Sequence, residues 1–321
     1  MLLRLLPARV AAALAAIVLL ALPAQAADPV FPGASHVGLV VPAGLKPSTT
    51  FRGFVDPDVN ASVLILEVPP PVYSKLEAEM SAEGLKKQGM TEEKRETVTL
   101  NSGKALIVVG DQAVGDKTLH KWVMLASGTE MGALIAVQLP AEAKAKYPDA
   151  EVRAMLMTLV MRASVPIDEQ LKLVPVVFGD LSGLRPFRVL GNSSVFLTEG
   201  PADPKDVAAQ PLLIVSVAPG GPEQDSDRAN FARQVLFSMG DFKDLRIVGT
   251  DIIRLDNLPT YEIQAEAKDA KTDAALKVVQ WIRFGHGALL RFLGIAPTAA
   301  WSEAFPKFRA VRDGVKPRSG G

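Results

Sequence analysis

The sequence predicts an α+β protein built as two tandem α/β/α sandwich domains, each an antiparallel sheet with flanking helices. Three observations predict it. Short β-rich runs are joined by hairpin-type turns, which is the pattern of antiparallel pairing. The same order of strand-like and helix-like segments occurs twice, about 157 residues apart. The 321-residue length also exceeds what one hydrophobic core usually supports, so two domains of roughly 150 residues are expected.

Composition narrows the functional classes. The chain carries 35 basic and 35 acidic residues, 48% hydrophobic residues and no cysteine. Disordered chains have high net charge and few apolar residues, nucleic-acid binders have a basic excess, and small disulfide scaffolds are rich in cysteine. None of these fits.

Residues 1–26 read as a cleavable Sec-type signal peptide. Arg4 and Arg9 precede the uncharged run Val10 to Leu22, and Pro23-Ala24-Gln25-Ala26 supplies small residues for cleavage after Ala26. The apolar run is 13 residues long, short of the ~20 needed to span a membrane. The expected location is the periplasm or the exterior. Without the two arginines of this segment, 33 basic residues face 35 acidic ones, a slight acidic excess. Absence of cysteine suits an oxidising compartment.

In the first expected domain, residues 27–165, Phe51 to Val55 and Ser62 to Val68 are β-rich runs around the turn Asp56-Pro57-Asp58-Val59-Asn60. A helix is predicted from Tyr73 to Gln88, with Leu76, Met80 and Leu85 on its apolar side and Gly89 as its cap. Strands follow at Thr97 to Leu100, Lys104 to Val109, Leu119 to Ala126 and Gly132 to Leu139. The spacing of Val152, Met155, Leu156, Leu159 and Val160 predicts a closing helix over Asp149 to Met161, begun by Pro148.

The second expected domain, residues 166–321, repeats this order. A strand at Leu212 to Val217 precedes a helix at Arg228 to Met239. Strands are expected at Leu245 to Leu255, Thr260 to Ala267, Leu276 to Phe284 and Ala288 to Ile295, then a helix from Trp301 to Val315. Residues match as well as elements. Trp122 and Trp281 fall at the same place in the penultimate strand, and Tyr147-Pro148 corresponds to Phe305-Pro306. The repeats join near Ser164-Val165-Pro166.

Phe54-Val55-Asp56-Pro57, Glu83-Gly84-Leu85-Lys86-Lys87-Gln88-Gly89 and the Lys121-Trp122 strand, in this order of elements, resemble the PsbP-like fold. That fold is named for an extrinsic photosystem subunit and is shared by small exported bacterial proteins. The resemblance covers residues 35 to 162 and is looser over 185 to 316, where Glu199 to Gln210 is long and polar. These residues mark a fold rather than an active site. The resemblance implies a non-catalytic binding or assembly role and names no partner.

A search for chemistry finds no enzyme signature. Asp56, Asp58, Asn60 and Glu67 hold positions 1, 3, 5 and 12 of a calcium-loop pattern, but Ala61 stands where the turn needs glycine, so a hairpin turn is expected. His36, His120 and His286 lack the i, i+4 spacing of a helical zinc pair and are read as structural or solvated. No Gly-x-Ser-x-Gly elbow, Ser-x-x-Lys pair or phosphate loop occurs. No cofactor, metal or catalytic residue is expected.

One surface stands out. If Gly285-His286-Gly287 is a hairpin turn, counting outward pairs Phe284 with Ala288, Arg283 with Leu289 and Trp281 with Arg291. Trp281, Arg283, Leu289 and Arg291 would then share one sheet face, suited to an anionic or aromatic ligand, with Trp122 at the same place in the first repeat. A Trp-Arg pair that merely covers the sheet is the plainer expectation. The expected function is an exported, non-catalytic binding or assembly protein of the cell envelope. Its partner would be a protein or envelope component, met through sheet faces or an interdomain groove. The alternative is a carrier of a small anionic ligand or lipid on the Trp281/Arg291 face.

Overall fold

The computed structural model describes residues 27–285 and 287–318. The expected signal peptide and His286 lie outside the described residues. The chain divides into two compact units between Ala163 and Ser164. Both are α+β.

The first unit opens with a 3-10 turn at Pro32–Ala34 and the short strands β1 (Val37–Gly38) and β2 (Lys46–Pro47). The hairpin β3 (Gly53–Asp56) and β4 (Ala61–Val68) leads to helices α1 (Pro70–Glu79) and α2 (Ala82–Lys87). A meander of β5 (Met90–Leu100), β6 (Gly103–Val114), β7 (Lys117–Ala126) and β8 (Gly132–Leu139) follows, then α3 (Ala141–Lys144), α4 (Asp149–Met157) and β9 (Val160–Met161). Seven strands form one antiparallel sheet in the order β2-β3-β4-β8-β7-β6-β5, while β1 pairs with β9.

The second unit contains α5 (Ile167–Leu171), β10 (Val176–Val177), the hairpin β11 (Arg185–Leu190) and β12 (Ser194–Thr198), β13 (Leu212–Pro219) and α6 (Asp225–Phe237). It continues with β14 (Phe242–Leu255), β15 (Leu258–Asp269), β16 (Ala275–Gly285), β17 (Ala288–Pro297), a 3-10 turn at Thr298–Ala300, α7 (Trp301–Gly314) and β18 (Lys316–Pro317). Its seven-stranded sheet runs β11-β12-β13-β17-β16-β15-β14, and β10 pairs with β18. Strand for strand, this is the order of the first unit.

Each sheet buries both faces, because alternate side chains point to opposite sides. In the first unit Ile107, Val109, Trp122, Met124 and Ile135 pack with Val152, Met155 and Leu156 of α4, while Val108 and Leu125 pack with Met80 and Leu85 around α1 and α2. In the second, Trp281 and Phe292 pack with Ala304, Phe308 and Val311 of α7, while Ile282, Phe284 and Leu293 pack with Ala232 and Leu236 of α6. Gly294 lets α7 come close: a Cβ there would lie 2.5 Å from Phe308 Cδ2.

Three expectations are corrected. The helix over Tyr73 to Gln88 is two helices, because Ser81 adopts an extended backbone and its Oγ accepts a hydrogen bond from the Gly84 N–H at 3.2 Å, capping a new helix. The helix over Asp149 to Met161 stops at Met157, and Val160–Met161 instead adds to β1. Strand β5 starts at Met90 rather than Thr97. Its early residues are largely exposed on both sides at the sheet edge, so no apolar alternation marks them.

Candidate functional site

The predicted one-face cluster does not form. Gly285 pairs with Ala288, so every pairing in the hairpin moves by one residue: Arg283 faces Leu290, Ile282 faces Arg291 and Trp281 faces Phe292. A one-residue slip sends a side chain to the opposite face. Trp281 and Arg283 therefore lie on the α7 side of the sheet, and Arg291 and Leu289 lie on the α6 side.

Neither tryptophan is available to a ligand. Trp281 is fully buried, stacks on Phe305 with ring centroids 6.0 Å apart, and donates from Nε1 to Glu262 Oε2 at 2.6 Å. The Arg312 guanidinium sits 4.7 Å from the Trp281 ring centroid and 3.8 Å from Glu262. These groups form a satisfied charge and hydrogen-bond network inside the core. Trp122 is also buried, but its strand partner is Val109 where Trp281 has Glu262, and its indole N–H has no acceptor among the described residues.

Arg291 lies under α6. Its Nε donates to Gln280 Oε1 at 2.9 Å and its Nη2 approaches Met239 Sδ at 3.1 Å. Burial without a carboxylate pulls its guanidinium down to about 10.

Arg283 and Leu289 are the members of the predicted set that line a cleft, and Arg283 supplies its positive charge. Pro175, Val176 and Pro317 of the β10/β18 ribbon, Val217, Leu258, Leu289 and Leu290 enclose about 410 Å³ with Arg283 and Asp256. The Arg283 side chain is 8% exposed, and its Nη1 donates to Asp256 Oδ2 at 2.8 Å. Its remaining guanidinium donors have no hydrogen-bond partner among the described residues. The chemistry is that of an apolar slot with a fixed cation in its wall, within the size range of small-ligand sites. The sequence pointed to Arg283 and Leu289 but not to the opposite wall, because the β10/β18 ribbon joins residues about 140 positions apart.

The calcium-like acids do not converge. Asp56 is buried and accepts from Lys146 Nζ and Tyr147 Oη, both at 2.5 Å. The Lys146 and Tyr147 hydrogen bonds hold its carboxyl below the usual 3.8. Glu67 instead accepts from Ser35 Oγ at 3.1 Å and the His36 backbone N–H at 2.8 Å, and lies 3.4 Å from Arg52. Asp56 through Ala61 thus form the predicted hairpin turn, closed by the Asp56–Ala61 pair.

A second cluster was not legible in the sequence. His120 is buried on β7, opposite Asp111 on β6; Nδ1 lies 2.8 Å from Asp111 Oδ1 and Nε2 lies 3.1 Å from Asp149 Oδ1 at the start of α4. Spacings of 9 and 29 residues match no local metal or catalytic motif.

No family model and no curated protein matches the chain. Solved structures similar to it include LpqN of Mycobacterium tuberculosis, described as involved in cell envelope biogenesis, at 13% identity over 44% of this chain and 82% of that one, with a TM-score of 0.36. The cyanobacterial PsbP protein of Synechocystis sp. PCC 6803 is 14% identical over 43% and 94%, with a TM-score of 0.29. The T6SS immunity protein TplEi of Pseudomonas aeruginosa is 11% identical over 89% and 96%, with a TM-score of 0.30. At this level the likenesses carry no argument about activity. Among the described residues, no helix is long and apolar enough to cross a membrane.

Proposed function

We propose that this chain is an exported, non-catalytic binding protein of the cell envelope, made of two tandem PsbP-like domains, whose second unit receives an envelope component with an apolar chain and an anionic head. The observation that carries the reading is the Arg283 cleft: apolar walls of about 410 Å³ with a guanidinium held in place by Asp256. A guanidinium in a largely apolar wall, with donors left over from its bond to Asp256, favours a carboxylate or phosphate through charge-assisted hydrogen bonds. The identical strand order of the two units and the expected signal peptide support the duplication and the compartment.

This reading keeps the anionic-ligand idea and moves it from Trp281/Arg291 to Arg283. Calorimetric titration with dodecanoate tests it. Saturable binding is expected for the native chain, with a loss of at least about tenfold in Arg283→Met and much weaker binding of uncharged dodecanol. Equal binding by native chain and variant, or none by either, would remove the proposal.

A further inference from the structure

We propose that Glu93, Asp111 and His120 form a divalent-metal site in the first unit, with Asp149 as an outer carboxylate that orients the imidazole. The site is independent of the Arg283 cleft, which belongs to the other unit.

The backbone delivers the three donors. Asp111 and His120 are directly opposed across β6 and β7. Glu93 is the extra residue of a bulge in the neighbouring strand: Glu92 pairs with Gly110 and Lys94 with Val109, so Glu93 has no partner of its own. One ligand atom from each of Glu93, Asp111 and His120 lies within 4.8 Å of the other two.

Charge and proton arithmetic supply the second argument. A neutral imidazole has one N–H and one lone pair, yet a carboxylate oxygen lies against each ring nitrogen of His120. With Nε2–H donating to Asp149, the Nδ1 lone pair faces the Asp111 oxygen, a contact that either a proton or a metal ion held by both groups makes attractive. Among the described residues, no lysine or arginine lies within ion-pairing distance of Glu93, Asp111 or Asp149, so three carboxylates surround one buried imidazole without a fixed counter-charge. A metal on one ring nitrogen with a carboxylate on the other is the usual arrangement of a ligating histidine and its outer partner.

One imidazole and two carboxylates suit a borderline divalent ion such as zinc. Two anionic ligands match its charge. His120 is buried and already held, whereas Glu93 is exposed and Asp111 is partly so, which leaves an entry path and room for water to complete the coordination.

The test is calorimetric titration of the chelator-treated full chain with zinc alone. One equivalent should bind saturably, with at least about tenfold weaker binding in Glu93→Gln and in Asp111→Asn. Asp149→Asn, which leaves all three ligands in place, should weaken binding by about 10- to 100-fold. Because replacing the buried His120 also disturbs packing, the exposed Glu93 provides the variant that leaves the core intact. X-ray absorption of the loaded protein should show a nitrogen and oxygen shell including one imidazole. Absence of saturable binding, or binding unchanged in the Glu93→Gln/Asp111→Asn double variant, would overturn the assignment.

Discussion

Gly294→Ala is expected to destabilise the second unit through steric overlap with Phe308 and Val279. A methyl at that position would sit 2.5 Å from Cδ2 and 3.0 Å from Cε2 of Phe308, and 2.9 Å from Val279 Cγ1. Carbon pairs prefer about 3.5–4.0 Å, so the Phe308 ring must retreat by about 1 Å. It has little room. Phe308 is fully buried and meets Trp301 edge-on at 6.4 Å, while Ala304 and Val311 of the same helix are also buried. Overpacking of this kind costs about 1–3 kcal/mol. With a urea slope of about 1–3 kcal/mol per molar, the midpoint should fall by roughly 1 M.

The assay can isolate this unit. Of the three tryptophans, Trp122 belongs to the first unit and Trp281 and Trp301 to the second, so in a Trp122→Phe background the fluorescence reports the second unit. Adding Phe308→Leu removes the ring atoms that meet the new methyl, and a double-mutant cycle should show favourable coupling of about 1 kcal/mol or more. A Gly294→Ala cost below about 0.5 kcal/mol, or additivity within that margin, would refute the close-packing argument.

Two further predictions concern buried charge. The depressed Asp56 carboxyl contributes stability that is present above its unfolded value near 3.8 and is lost as pH falls through its lower folded value. Hydrogen exchange of peptides spanning Gly53–Val68 should therefore show native protection exceeding that of Asp56→Asn at pH 7, with the gap closing towards pH 3; a gap independent of pH would reject the assignment. Glu262→Leu should destabilise the second unit by roughly 2–4 kcal/mol, because Trp281 Nε1–H loses its acceptor and the buried Arg312, which keeps its hydrogen bond to Asp313, loses a carboxylate 3.8 Å away. Urea unfolding that shows a loss under about 1 kcal/mol would place that network's role elsewhere.

Most strands were legible because burial on one or both faces writes itself into residue type. Gly132 to Leu139 is expected and observed with the same bounds, and its burial alternates along most of its length. The β11/β12 hairpin was not assigned, since Arg185–Leu190 is a half-buried edge strand without a buried residue of its own. The break at Ser81 was written in a capping residue, yet the apolar spacing across it imitated one continuous helix.

The candidate site shows where sequence reasoning stops. The order of elements and its repetition follow from local chemistry, because propensity, turns and side-chain period act over a few residues. Which side chains meet depended on whether Gly285 pairs with Ala288, and that one-residue choice separated Arg291 from Trp281 and left Arg283 beside the cleft. His120 tells the same story at longer range: strand pairing and the start of α4 brought Asp111 and Asp149 to its two nitrogens. The sequence by itself determined most of the elements and their repeated order; register and helix packing, which depend on residues far apart in the chain, decided the chemistry between them.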